Sequence, residues 1–256
     1  MKSESKQKFS LTGLLVVIGG LVLLTAVLVP IIPQVKLRAD MRMVSSHGKC
    51  IYLAISGVGL HENLGPANLW PKAQIDGGDN RNIIEAQDIS EMTFQNSTRY
   101  FDVLLDGENR FEPSKWAPYI NSFDYSKLVG AGVLGMTGTG ELKPENNMWC
   151  IAGNITDDMD EMVPVLVTRN VDCSSFHIKT QANPDTPLRW SQQYVTPFGN
   201  RGFVIVRKGG TVFCGTVKYA TTGVVYPVGD GLPSVAGNTN LASLVYLTPD
   251  GIAYPQ

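Results

Sequence analysis

The side chains that most often carry catalysis or bind transition metals are sparse in this sequence. Its three histidines, His47, His61 and His177, are far apart, and none belongs to an H-E-x-x-H pattern, which places two imidazoles on one helix face for zinc. The sequence also lacks G-x-S-x-G, the turn that exposes a serine nucleophile. We therefore predict that the protein is not an enzyme and has neither a catalytic residue nor a cofactor.

Carboxylates are concentrated in one run, formed by Asp157, Asp158, Asp160 and Glu161. Calcium binds clustered carboxylates, but this run lacks the alternating ligand spacing and central glycine of a calcium loop. A solvated turn is the favoured interpretation of the run, and calcium binding stays open. The same two interpretations, a solvated turn or a calcium site, apply to the loop from Asp76 to Asp79. We predict no metal site.

The four cysteines, Cys50, Cys150, Cys173 and Cys214, allow three complete disulfide pairings. A location outside the cytoplasm permits disulfides, and buried free thiols are the alternative. Nothing in the spacing favours one pairing over another. The glycine-rich stretch 130–140 is not a phosphate-binding loop, because its spacing does not match G-x-x-x-x-G-K-[ST].

Composition bounds the class of protein. The 256 residues are 43% hydrophobic and 17% charged, with a formal net charge of −2. Nucleic-acid binding requires a basic face, so this balance predicts no nucleic-acid partner.

The longest apolar stretch runs from Phe9 to Val35 without a charged side chain. A transmembrane helix needs about 20 apolar residues to cross a hydrocarbon core of roughly 30 Å. A signal peptide is the alternative, but its apolar region is typically about 7 to 15 residues long and ends at a small-residue cleavage site. The sequence therefore predicts a retained single-pass membrane anchor.

Helical periodicity continues beyond the anchor. Apolar residues at helical spacing form a stripe along one face: Leu37, Met41, Val44, Ile51, Ile55 and Val58. Gly48 occupies the position between Val44 and Ile51 in this stripe. We predict one helix from about residue 9 to 56, bent if anywhere near Pro30 and Pro33, because each proline removes a backbone donor.

In the rest of the chain, the sequence pattern predicts two short helices at 82–88 and 97–105, a loop over 61–80, and strands from residue 149 onward. The strands, rich in β-branched and aromatic residues, are 149–155, 163–168, 202–206, 211–218, 241–247 and 251–254. Short connections favour antiparallel pairing. The predicted fold class is α+β, with the stripe covering the one apolar face of an antiparallel sheet.

The segment Lys6 to Ile18, KQKFSLTGLLVVI, resembles the N-terminal processing and methylation segment of type IV pilins and type II secretion pseudopilins. That segment is usually K-G-F-T-L-I-E-L-L-V-V-I, and a prepilin peptidase cuts before the Phe, whose new amine is then methylated. The resemblance implies processing at Lys8 and Phe9 and a pilin-like fold. Pro30 sits where many of these subunits have a helix-kinking proline.

Two positions depart from the family pattern. Lys8 stands where the peptidase prefers Gly, so we expect slow or absent cleavage. Gly13 stands where most subunits carry the Glu that meets the amine of the adjoining subunit. Since the pseudopilin tip subunit characteristically lacks this Glu, the resemblance implies a minor or tip-like subunit.

The expected organisation has four parts: a cytoplasmic leader-like tail at 1–8, a transmembrane helix at 9–35, its amphipathic extension at 36–58, and an extracytoplasmic globular domain at 59–256. The resemblance implies a structural subunit of a pilus or secretion pseudopilus in the inner membrane, with the membrane and other pilin-like subunits as partners. The alternative is a binding protein or enzyme that uses the helix only as a tether.

Overall fold

The computed structural model describes residues 11–57, 70–73, 93–105, 125–130, 141–156, 159–176, 186–221 and 244–255. The chain divides into two compact units, residues 1–39 and residues 40–256. Lys8, Phe9, Val58 and the predicted helix at 82–88 lie outside the described residues.

One long helix, α1, runs from Leu11 to Gly57 and contains both Pro30 and Pro33. It is the one helix among the described residues that is long and apolar enough to cross a membrane. The boundary between the two units falls within α1, after Ala39. The predicted helix over 9–56 therefore agrees with the structure over the residues that are described.

The second unit contains an antiparallel sheet of six strands: β3 (Trp149–Gly153), β4 (Pro164–Thr168), β5 (Gly202–Arg207), β6 (Val212–Thr216), β7 (Val245–Leu247) and β8 (Ile252–Ala253). Their order in the sheet is β6-β5-β4-β3-β7-β8. Tight turns join β5 to β6 and β7 to β8, as their Gly and Pro residues predict. The α+β class and the antiparallel sheet agree with the sequence prediction.

Smaller elements flank this sheet. Helix α2 (Ser97–Leu105) begins after Asn96, whose side-chain oxygen accepts a hydrogen bond from the Arg99 backbone N–H at 2.8 Å. Strands β1 (Lys72–Ala73) and β2 (Thr93–Phe94) pair in parallel. The strand at 72–73 corrects the predicted loop over 61–80, because its backbone is paired with a segment distant in sequence.

Both faces of the large sheet are buried, which corrects the expectation of a single apolar face. One face meets α1, where Trp149 and Val206 lie against Gly48. Because side chains alternate along a strand, Cys150 and Ile205 lie on the other face. That second face belongs to a separate core cluster made with residues from the connecting segments, including Ile155, Met159, Val171, Cys173, Phe176, Leu188, Ala220 and Leu244.

Candidate functional site

The first part of α1 exposes its apolar surface on every side. Its large apolar side chains from Leu11 to Val35 are between 45% and 77% exposed. The hydroxyl of Thr25 donates to the carbonyl oxygens of Leu21 and Val22, at 3.0 and 2.9 Å. The polar group of Thr25 is thus satisfied within the helix, as an apolar solvent requires.

Small residues and prolines interrupt this apolar surface. Gly13 and Pro30 are both exposed, and a Cβ at Gly19 or Gly20 would meet nothing within 4 Å. Gly13 and Gly20 are seven residues apart, so they lie close to one helix face. Close helix–helix packing in membranes uses small residues in this way, because they let backbones approach.

The second part of α1 buries the predicted stripe. Met41, Val44, Ile51 and Ile55 are buried, and Leu37 is half-buried. Gly48 is buried in the same row, and a Cβ there would lie 2.8 Å from both the Trp149 ring and the Val206 Cγ2. This position therefore accepts no side chain unless the sheet or the helix moves.

Two polar side chains of α1 donate hydrogen bonds to the turn between β5 and β6. Lys49 Nζ donates to the Gly210 carbonyl oxygen at 2.6 Å, and the Tyr52 hydroxyl donates to the Lys208 carbonyl oxygen at 2.7 Å. Gly210 has a positive φ of 76°, which places it in the region that glycine adopts most easily. No sequence pattern predicts these contacts, because α1 and the turn are far apart in sequence.

One electrostatic feature of the second unit is the buried side chain of Arg169. Arg169 is buried, and its Nη1 donates to the carbonyl oxygens of Pro144, Glu145 and Asn147 at 2.8 to 2.9 Å. Burial lowers the pKa of Arg169, and its guanidinium also lies 4.8 Å from the Tyr194 ring centroid. These neutral acceptors satisfy the cation and fix the loop before β3.

Other shifted pKa values also have burial as their largest cause. Burial raises the pKa of Tyr100, and burial followed by a hydrogen bond to Asp250 raises the pKa of Tyr194. Such shifts describe packed side chains. No group of three His, Cys, Asp or Glu side chains able to hold a metal occurs in the described part of the chain.

The remaining sequence-predicted candidates are dispersed. His47 lies half-buried on α1, while His61 and His177 lie outside the described residues. Of the acidic run, Asp160 accepts a hydrogen bond from the Met162 backbone N–H at 2.7 Å, which forms a local turn. Asp157 and Asp158 are not among the described residues.

The candidate site is therefore α1 itself, with an exposed apolar part and a part packed on the sheet. Comparison with protein-family models, curated proteins and solved structures finds no match to this chain.

Proposed function

We propose that this protein is a structural subunit of a membrane-anchored filament, of the pilin or secretion-pseudopilin kind. In this proposal residues 9–35 anchor the chain in the inner membrane, and the globular domain lies outside the cytoplasm. The exposed part of α1 then packs against the helices of neighbouring subunits.

The observation that carries this proposal is the double use of α1. The helix that is apolar and exposed from Leu11 to Val35 also supplies the core stripe that contains Gly48. A simple tether requires only an apolar span, followed by any flexible connection. A subunit that assembles through its helix benefits from a domain built on that same helix, because assembly then fixes the position of each domain.

The exposed apolar surface supports the same proposal. Lipid can cover it in an isolated subunit, so apolarity alone does not distinguish a tether from an assembling helix. The small residues at Gly13, Gly19 and Gly20 favour close contact between helices, since no atom of the described structure occupies the space beside Gly19 and Gly20.

Photo-crosslinking in the native membrane tests the assembly step. A photoreactive residue at Leu14 or Leu21, which lie one heptad apart, should give adducts to a second copy or to another pilin-like subunit. The same probe at Leu53, which is 55% exposed on the domain part of α1, is the matched control for reactivity. Lipid adducts alone at both span positions would contradict the proposal and favour the tether.

Replacement of the span gives a second, independent test. Residues 11–35 are exchanged for an unrelated apolar helix of equal length, while residues 36–57 are kept. We expect membrane insertion to persist and recovery in assemblies to be lost. Unchanged assembly would show that the span acts only as an anchor.

We further propose a minor or tip-like role, supported by Lys8 and Gly13. A lysine before the cut adds bulk and charge at a position where the peptidase prefers glycine, and Gly13 offers no carboxylate to a neighbour's amine. A buried carboxylate is tolerated in lipid when a cation meets it, so its absence removes that contact.

The test of this role is to make Lys8→Gly and Gly13→Glu separately, with the cognate peptidase present. Lys8→Gly should increase the mature, shortened form, and Gly13→Glu should increase filament recovery. If the unaltered protein is already cut before Phe9 and builds filaments alone, the tip-like role is wrong.

A further inference from the structure

Two of the four cysteine thiols meet in the core cluster on the sheet face away from α1. Cys150 of β3 is 2% exposed, and Cys173 is 1% exposed. Both are free thiols in this structure: the Cys173 thiol donates to the Val171 carbonyl oxygen, with an S···O distance of 3.9 Å, and a side-chain hydrogen bond with Cys150 is one cause of the raised pKa of Cys173. Cys173 is held there by a short 3-10 helix, Cys173–Ser175, whose first turn is capped by Asp172 accepting from the Ser174 N–H at 3.0 Å.

The alternation of β-strand side chains separates this pair from Cys214. Cys214 pairs with Val204 in the register of β5 and β6, on the face that contains Val206 and meets α1. Its thiol donates to the Met41 carbonyl oxygen of α1, with an S···O distance of 3.9 Å. The sheet therefore lies between Cys214 and the Cys150–Cys173 pair.

Cys50 is also out of reach of Cys214. It follows Met41 by nine residues of helix, which is about 13 Å along the axis and half a turn around it. The Cα atoms of a disulfide are at most about 7 Å apart. Each of the three complete pairings contains at least one disulfide that this geometry excludes, because Cys214 reaches neither Cys50 nor the Cys150–Cys173 pair.

We infer that Cys150 and Cys173 form a single disulfide, while Cys50 and Cys214 stay as thiols. The inference rests on the proposed location of the domain outside the cytoplasm, where disulfides persist. The oxidant is the disulfide of a thiol-oxidising protein or of glutathione. Its sulfur–sulfur bond breaks as the Cys150–Cys173 bond forms, and it takes up two electrons and two protons as two thiols.

Burial requires that this bond form while the domain is still folding. Burial, followed by the side-chain hydrogen bond with Cys150, raises the pKa of the Cys173 thiol in the folded state. A raised pKa leaves little thiolate, and the thiolate is the species that attacks a disulfide. In the partly folded chain, both thiols are accessible to the oxidant.

Peptide mapping of the full chain tests the inference. The protein is extracted from its own membrane with detergent and free thiols are blocked with iodoacetamide during denaturation. Trypsin then places each cysteine on a different peptide, because lysines or arginines separate all four. We expect one crosslinked species joining the Cys150 and Cys173 peptides, lighter than their sum by two hydrogen atoms, and alkylated Cys50 and Cys214.

Refolding separates this inference from the proposed location. The reduced, denatured full chain is refolded in detergent with reduced and oxidised glutathione, and mapped in the same way. A Cys150–Cys173 link formed here but absent from the membrane-derived protein supports the pairing and overturns the extracytoplasmic location. A different pairing, or no link in either sample, overturns the inference.

Alanine variants supply a second readout. Dithiothreitol should lower the Tm of the unaltered protein and of Cys214→Ala, but not that of Cys150→Ala. If reduction shifts the Tm of Cys150→Ala as much as that of the unaltered protein, the stabilising disulfide is not this one.

Discussion

Gly48→Ala tests the packing of α1 on the sheet, because two opposing effects of known sign meet at one position. An alanine inside a helix is favoured over glycine by about 1 kcal/mol. The added Cβ, however, would lie 2.8 Å from both the Trp149 ring and the Val206 Cγ2, two fully buried side chains. Both side chains lie on the sheet face that meets α1, so the methyl group fits only if α1 moves away from the sheet or these side chains shift.

The steric effect is expected to exceed the gain in helix propensity. Overpacking a rigid core costs about 1 to 3 kcal/mol, and close contact with two fully buried side chains places Gly48 at the upper end of that range. We therefore expect Gly48→Ala to lower the free energy of unfolding by about 2 kcal/mol, and Gly48→Val to lower it further.

The assay is urea unfolding of the full chain in detergent, followed by near-UV circular dichroism, since the Trp149 ring must move. Ser46→Ala is the matched control, because Ser46 is exposed on the same part of α1 and the change gains helix propensity without a clash. If Gly48→Ala stabilises the protein as Ser46→Ala does, the contact of Gly48 with the sheet is refuted.

Three further predictions concern the domain. Ile51→Ala should cost about 2 to 5 kcal/mol in urea unfolding because Ile51 is buried, whereas Leu53→Ala should cost under about 1 kcal/mol. Arg169→Met should cost about 3 kcal/mol in the same assay, since it removes a charged donor from three carbonyl oxygens, of which that of Asn147 is buried. Arg99→Met, which removes an exposed ion pair with Asp102, should change stability by under about 0.5 kcal/mol. Burial raises the folded-state pKa of Tyr100, so the contribution of this ionisation to the free energy of unfolding is complete below the unfolded pKa of about 10 and is lost as the pH rises above it. Tyr100→Phe should therefore reduce the fall in the free energy of unfolding, measured in urea, as the pH is raised above about 10.

The elements were predictable where the sequence repeats a local pattern. The stripe on α1 has a period that only a helix satisfies, and its burial follows that period from Met41 to Ile55. The capping residue before α2 and the turns after β5 and β7 are also local signals.

The second buried face of the sheet was harder to predict from sequence. Strands β4 and β5 read as continuous apolar runs, and such runs indicate burial on both faces. The covering residues, however, come from irregular segments such as 171–176, which have no periodicity. Their placement depends on contacts between distant parts of the chain.

The contacts of Lys49, Tyr52 and Arg169 share one feature that hides them from sequence analysis. All three donate to backbone carbonyl oxygens, which every residue possesses. No sequence pattern marks the acceptor, so only the fold identifies it. Likewise, only the fold shows that Cys50 and Cys214 do not form a disulfide with each other or with Cys150 or Cys173.

The strand order of the sheet has a consequence for the order of synthesis. Strand β3 lies in the interior of the sheet, between β4, which follows it closely in sequence, and β7, which is made far later. Until residues 245–247 emerge, one edge of β3 has no partner, and an unpaired apolar edge invites association with other chains. The growing polypeptide thus carries an open edge while about a third of its length is synthesised, from residue 153 to residue 245, and a chaperone that shields extended segments would act during that interval.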